Sequence, residues 1–336
     1  MSTFRPILSA QQFKSNHPIT SQIAHNIQKN HQTIQHILDN HDPRLIVIMG
    51  PCSFHDPLAC TDYAHRLKQL ATDVAEKFFL IMRVYLEKPR TFLSWKGYLN
   101  DPYCDETFNI EAGLEHAREF MLALSALDLP IASEILNPFL HTYFNDLLSY
   151  ASIGARTSES QVHREIASGL SIPVGFKNTT SGDIQAALNG ILFAAHPHVF
   201  LHASPSGHVS ITETTGNPYG HLILRGGELC TNYKKEHIHA AEQLMHTLNM
   251  TQNIIVDCSH GNAKKDYRRQ HPVFMDIIKQ KNEGNQSIRG VMLESFLVEG
   301  NQPLTPPLHY GCSITDPCLG WTDTVNVITE AYDTLK

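Results

Sequence analysis

Hydrophobic residues in this chain gather in short runs, and eight of those runs stop on a residue that a hydrophobic core would reject. They are Ile46-Val-Ile-Met-Gly-Pro-Cys52, Phe79-Leu-Ile-Met-Arg83, Ile131-Ala-Ser-Glu134, Ile153-Gly-Ala-Arg156, Pro173-Val-Gly-Phe-Lys177, Leu222-Ile-Leu-Arg225, Ile254-Ile-Val-Asp-Cys-Ser-His260 and Val291-Met-Leu-Glu294. Helical spacing of apolar residues predicts helices near 57–72, 110–128, 138–149, 160–169, 181–194, 234–249 and 272–282. Strands apolar on both faces, alternating with such helices, predict a parallel sheet covered by helices. Eight repeats of this kind predict an α/β fold, a closed (β/α)8 TIM barrel. Its active face is the ring of carboxyl strand ends, where the polar residues stand.

Residues 1–19 hold two prolines and little periodicity, which predicts an extended arm. A helix capped by Thr20 or Ser21 follows to about Asn40, with Ile23, Ile27, Ile34, Ile37 and Leu38 as its apolar stripe. His41-Asp-Pro43 ends it, so residues 1–42 form an arm and helix, and 43–336 the barrel. Within the barrel, His198–Ala203 and His208–Thr212 flank the turn-like Ser204-Pro-Ser-Gly207, predicting an inserted β-hairpin at about 198–212.

The formal net charge of −7 argues against nucleic acid or an anionic membrane as partner, since both need surplus Lys and Arg. Seven cysteines without a framework spacing, and no signal-like or membrane-length apolar run, predict a cytoplasmic protein with reduced thiols. Of the 21 histidines, those in the first helix (His25, His31 and His36) are expected to face solvent.

Against that acidic background, the strand ends carry Arg83, Arg156, Lys177 and Arg225, with Lys88 and Arg90 close behind in Glu87-Lys-Pro-Arg-Thr91. Converging cations repel one another by kcal/mol amounts unless acidic neighbours or a bound anion neutralise them. Phosphate and carboxylate groups suit Arg forks and Lys point charges. A second set comprises Cys52, His260, Glu294 and Asp316, a mixture of soft and hard donors that favours Mn²⁺, Fe²⁺, Co²⁺ or Zn²⁺. By sequence alone Cys258 could replace Cys52, and Cys52 could instead be a small buried residue beside Gly50 and Pro51.

Several motifs occur in order: Gly50-Pro-Cys-Ser53, Met82-Arg-Val-Tyr85, Glu87-Lys-Pro-Arg-Thr91, Trp95-Lys-Gly97, Gly154-Ala-Arg-Thr157, Glu159-Ser-Gln-Val-His-Arg164, Pro173-Val-Gly-Phe-Lys-Asn178, Ile223-Leu-Arg-Gly-Gly227, Asp257-Cys-Ser-His260, Glu299-Gly-Asn301 and Ser313-Ile-Thr-Asp316. From about residue 43 to 321 the chain closely resembles the type I 3-deoxy-D-arabino-heptulosonate 7-phosphate (DAHP) synthases. The resemblance implies a transferase that condenses phosphoenolpyruvate with erythrose 4-phosphate and water, the first step of the shikimate pathway to the aromatic amino acids. It implies that Arg83, Lys88, Glu134, Ala155, Arg156, Lys177 and Arg225 surround phosphoenolpyruvate, and that Arg90 and Thr91 hold the erythrose phosphate. Cys52, His260, Glu294 and Asp316 would bind one divalent metal, which decides against Cys258. Lys88, His260 and Cys52 are the expected catalytic residues. Lys88 would move a proton, with a pKa lowered by Arg83 and Arg156.

A homodimer or homotetramer is expected, formed through helical and hairpin surfaces. The nearest competing reading is a 3-deoxy-D-manno-octulosonate 8-phosphate synthase, which usually has Lys-Ala-Asn-Arg where this chain has Lys88-Pro-Arg-Thr91. A barrel that only binds phosphate metabolites would leave gaps in the cationic or metal positions, and there are none. Weak feedback inhibition is also expected. Only Met1-Ser-Thr-Phe-Arg5 precedes Pro6, without an acidic residue, and Leu136-Asn-Pro-Phe-Leu-His141 departs from the family pattern.

Overall fold

The computed structural model describes residues 2–305 and 307–336; Met1 and Pro306 lie outside the described residues. In chain order the elements are α1 (Ala10–Asn16), α2 (Ser21–Leu38), β1 (Leu45–Gly50), α3 (Pro57–Asp73), β2 (Phe78–Arg83), α4 (Ile110–Ala126), β3 (Ile131–Glu134), β4 (Tyr150–Ile153), α5 (Gln161–Gly169) and β5 (Val174–Lys177). They continue with α6 (Gln185–Ala194), β6 (Val199–Ala203), β7 (Val209–Glu213), β8 (Gly220–Leu224), α7 (Lys235–Thr247), β9 (Ile254–Asp257), α8 (Gln270–Asn282), β10 (Ile288–Glu294), β11 (Val298–Asn301), β12 (Cys312–Ser313) and α9 (Trp321–Thr334). Eight of the strands close a barrel in the order β1-β10-β9-β8-β5-β4-β3-β2. Its neighbours all pair in parallel. Strands β6 and β7 pair antiparallel outside it, at the place where the hairpin is expected.

Alternation along each strand sorts the apolar residues into two cores. In β1, Ile46 and Ile48 join Ile81, Tyr150, Ile223, Ile255 and Met292 inside the barrel, while Leu45, Val47 and Met49 pack outward with the helices. The inner cluster also takes Ile34, Ile37 and Leu38 from the end of α2. Because α2 ends a few residues before β1 begins, this helix plugs the amino-terminal mouth of the barrel. The opposite mouth is left for the polar strand ends.

Three expectations need correction. The arm is not extended throughout: Ser9 and Gln12 form a reciprocal cap for α1, whose Ala10 and Phe13 are buried. His25 and His36 are exposed, but the ring of His31 is part-buried and lies 2.7 Å from the Leu148 carbonyl oxygen, and burial pulls its pKa down. Between residues 138 and 149 only a short 3₁₀ turn forms, Leu140–Tyr143. A longer helix would need its carbonyls for itself, and Arg118 of α4 takes that of Tyr143 at 3.0 Å. The fully buried Arg118 guanidinium also donates to Asp146 at 3.0 and 2.8 Å and to the His17 carbonyl at 2.8 Å, pinning arm and turn to the barrel.

Burial alone would raise the Asp146 pKa, yet the Arg118 hydrogen bonds and the Lys14 charge outweigh it and hold the carboxyl below its ordinary range. A depressed folded pKa contributes stability above the ordinary carboxylate value and loses it as pH falls through the lower folded value. Arg118→Met is therefore expected to destabilise the fold by about 3 kcal/mol at neutral pH. The gap from wild type should narrow below about pH 4. Denaturant melts at both pH values check this; a gap unchanged by acid would show that Asp146 is not the partner that matters.

Candidate active site

The carboxyl strand ends surround a cavity of about 600 Å³. Its wall contains Arg83, Lys88, Arg90, Thr91, Glu134, Ala155, Arg156, Lys177, Arg225, His260 and Asp316. Cys52 and Glu294 lie beneath them, both buried. All the residues singled out from sequence therefore meet at one mouth of the barrel. Gly50 makes this approach possible, since a Cβ there would stand 2.6 Å from the backbone oxygen of Arg83. With glycine, the end of β1 lies against the end of β2 and Cys52 sits under Arg83.

The cations divide into two groups. On the floor, Arg83 pairs with Glu294 at 2.9 Å and Lys177 with Asp257 at 3.0 Å. Lys88 Nζ donates to the Cys52 carbonyl at 3.0 Å and approaches its Sγ at 3.1 Å. The ring of Tyr85 lies 3.5 Å from the Arg83 guanidinium, 5.7 Å from Lys177 and 6.0 Å from Lys88, so its negative face tempers three positive charges. On the wall, Arg90, Arg156, Arg225, Lys264 and Lys265 have no carboxylate within salt-bridge distance among the described residues. An anion entering this cavity meets unneutralised charge.

Lys88 corrects an expectation. Burial pulls its pKa down, but the negative charges of Cys52, Glu294 and Asp316 outweigh burial and Arg83 together, so it stands above the ordinary lysine value. Arg225 behaves as a crowded cation should: burial lowers its pKa, with Arg156 adding to the effect against Asp257. Its backbone N–H is held by Asn178 Oδ1 at 2.8 Å, which fixes the exit from β8. Lys264 and Lys265 were not anticipated. They follow His260 in a loop where both adopt left-handed backbone, φ 52° and 62°, and return to the rim. Adjacent lysines were visible in the sequence, but no strand end marked them. Tyr85 was missed because an aromatic after a strand reads as core.

Donor atoms of Cys52, Glu294 and Asp316 all lie within 4.8 Å of one another, which fits a mixed thiolate–carboxylate metal set. His260 stands beside this trio, its Nε2 3.5 Å from Glu294 Oε1, rather than inside it. Cys258 is buried and faces the Val256 carbonyl at 3.8 Å, away from the set. Cys318 lies close to Cys52, accepting its backbone N–H at 3.4 Å.

The sequence profile of the DAHP synthetase I family matches residues 21–329. The chain belongs to that family. It is 45% identical over 333 residues to the phospho-2-dehydro-3-deoxyheptonate aldolase, Tyr-sensitive, of Escherichia coli, covering 98% of this chain and 93% of that protein. With the Trp-sensitive enzyme of Enterobacter agglomerans it shares 43% identity over 324 residues, covering 96% and 93%. The solved phospho-2-dehydro-3-deoxyheptonate aldolase of Francisella tularensis superposes with a TM-score of 0.97 at 40% identity, covering 100% of this chain and 98% of that one. The family implies a divalent metal, and the donor trio suits one.

Cys52→Ala is expected to lower divalent-metal affinity by at least tenfold, whereas Cys258→Ala should bind metal as the wild type does. Competition against a chromophoric chelator measures both. Equal losses in the two variants would show that the thiols have been assigned the wrong way round.

Proposed function

We propose that this chain is a DAHP synthase: it joins phosphoenolpyruvate, erythrose 4-phosphate and water to give DAHP and inorganic phosphate, the first step of the shikimate pathway. The observation that carries the reading is the cavity itself. Unpaired cations sufficient for two phosphates and a carboxylate line a space that also holds Asp316, with Cys52 and Glu294, the rest of the thiolate–carboxylate set, buried beneath it.

In this reading Arg83, Lys88, Ala155, Arg156, Lys177 and Arg225 hold phosphoenolpyruvate, and Glu134 stands beside its reacting carbons. Glu134 Oε1 is buried against Gly154 without a hydrogen-bond partner among the described residues. Arg90 and Thr91 hold the sugar phosphate from a loop stiffened by Pro89. Cys52, His260, Glu294 and Asp316 hold one divalent ion; Mn²⁺, Fe²⁺, Co²⁺ and Zn²⁺ suit that donor set better than Mg²⁺. When bound, the ion supplies Lewis-acid polarisation of the aldehyde oxygen. Carbon 3 of phosphoenolpyruvate bonds to the aldehyde carbon while water adds at carbon 2, and the phosphohemiketal then releases phosphate. Lys88, whose Nζ lies between Cys52 and the cavity and whose raised pKa keeps it protonated, donates the proton at that centre, with Cys52 and His260 as the other catalytic residues.

The first test separates the two phosphates. Arg90→Ala should raise KM for erythrose 4-phosphate about ten- to a hundredfold with little effect on phosphoenolpyruvate, and Arg225→Ala the reverse. Steady-state assays following phosphoenolpyruvate absorbance decide it. Equal shifts for both substrates in both variants would overturn the assignment. The same assay with a five-carbon sugar phosphate excludes the octulosonate reading if it gives no turnover.

The chain also assembles with itself through the hairpin. One face of it presents Val199, Leu201, Val209 and Ile211, exposed by 69%, 73%, 81% and 70%. Four adjacent apolar side chains in water favour burial against a second copy. On its other face His202 stacks with Phe139 and His141 at 5.8 and 5.5 Å, so the 136–141 segment that departs from the family pattern packs on the hairpin, and weak feedback inhibition is read from that departure. Leu201→Asp with Ile211→Asp should yield monomers in sedimentation, and millimolar phenylalanine, tyrosine or tryptophan should inhibit the native assembly little. An unchanged sedimentation coefficient would sink the first reading, and strong inhibition by any one amino acid the second.

A further inference from the structure

One carboxylate in the floor touches both halves of the site. Asp257 ends β9 and is fully buried. Its Oδ1 accepts from the Ser259 backbone N–H at 3.0 Å and from the Ser259 hydroxyl at 2.6 Å. Its Oδ2 lies 3.0 Å from Lys177 Nζ and 2.9 Å from His260 Nδ1. Ser259 therefore fixes the carboxylate's orientation through one oxygen, and the other is shared between a cation of the substrate cavity and an imidazole of the metal set. A carboxylate facing an ammonium and two further donors can only accept. Ser259 Oγ, whose proton goes to Oδ1, also lies 2.8 Å from His260 Nδ1, so Nδ1 faces two acceptors, Oγ and Oδ2, and carries the proton; the lone pair is then on Nε2, 3.5 Å from Glu294 Oε1 of the metal set.

We propose that Asp257 is a positioning residue that couples metal binding to anion binding, by dividing one negative charge between His260 and Lys177. The coupling rests on the reading above that His260 ligates the metal and Lys177 holds phosphoenolpyruvate. A cation at Nε2 makes Nδ1–H a stronger donor and draws Oδ2 toward the imidazole. Lys177 then loses part of its counter-charge and offers more of its own to an anion. In the reverse direction, an anion on Lys177 weakens that lysine's claim on Oδ2. The carboxylate serves His260 more fully, and Nε2 becomes the better ligand. Coupling of this kind is reciprocal by thermodynamic necessity.

Titration with Co²⁺, followed by the thiolate-to-cobalt absorbance that Cys52 supplies, measures metal affinity without turnover. In the native protein phosphoenolpyruvate should tighten Co²⁺ binding about fivefold or more. Asp257→Asn should weaken Co²⁺ about 10- to 100-fold and bring the effect of phosphoenolpyruvate close to one. Lys177→Met touches no metal ligand, yet it should tighten Co²⁺ several-fold and abolish the phosphoenolpyruvate effect, because Oδ2 then serves His260 alone. Losing any nearby cation tightens metal binding through space, so Arg156→Met, which removes a cavity cation with no carboxylate partner among the described residues, is the control, and Lys177→Met must exceed it. If Asp257→Asn does not fold, that comparison decides alone. Native Co²⁺ affinity in Lys177→Met, or a native phosphoenolpyruvate effect in Asp257→Asn, overturns the coupling while leaving the site reading in place. Absence of a thiolate–cobalt band in the native protein would instead remove the site reading, and the coupling with it.

Discussion

Two buried carboxylates make the rest of this site possible. Arg83 and Lys177 are almost wholly withdrawn from water, and an isolated buried cation is too costly for a domain of ordinary stability. Glu294 and Asp257 offset that cost at 2.9 and 3.0 Å. Each also reaches the metal set, Glu294 as a member of it and Asp257 through His260. The floor is therefore a single hydrogen-bonded lattice in which charges of both signs fix one another. Removing any one member would leave a buried partner exposed to the full desolvation penalty.

The wall obeys a different rule. Arg90 and Arg156 reach solvent and lack carboxylate partners among the described residues, so their repulsion is screened by water rather than cancelled. This division follows from depth. Arg83 and Lys177 are the last residues of their strands, buried and paired in the fold, while Arg225 and Arg156 just beyond theirs, and Arg90 on a loop, are left for the ligand. The charge open to an entering anion is thus mainly on the wall. Geometry comes from floor residues that cannot move.

The barrel was legible because its signal is repeated. Eight apolar runs of strand length, each ending on a polar residue, cannot all be accidents of composition, and the closed sheet places those ends together. The hairpin was legible for a similar reason, since two strand-forming flanks enclose a Ser-Pro-Ser-Gly turn. What stayed hidden depends on contacts distant in sequence. The stretch 138–149 has helical spacing, yet Arg118 in α4 takes the Tyr143 carbonyl and ends the turn early. The pKa of Lys88 was misjudged because its cationic neighbours are visible in sequence as strand ends, whereas its closeness to Cys52 arises only when β1 and β2 meet at Gly50. Lys264 and Lys265 reach the rim through left-handed backbone that no periodicity announces.

The same distinction explains why Asp257 escaped notice as a functional residue while His260, three positions later, did not. In the run Ile254-Ile-Val-Asp-Cys-Ser-His260, the aspartate belongs to the strand and the histidine to the loop. Loop histidines beside a strand end invite a chemical reading, whereas a buried aspartate inside a strand invites a structural one. Only the folded geometry shows that Asp257 is where strand and loop chemistry join: one oxygen is fixed by Ser259, and the other is contested by His260 and Lys177. A carboxylate in this position cannot satisfy both partners fully. That shortfall ties the charge on Lys177 to the imidazole of His260 through a single oxygen, with no movement of the backbone needed.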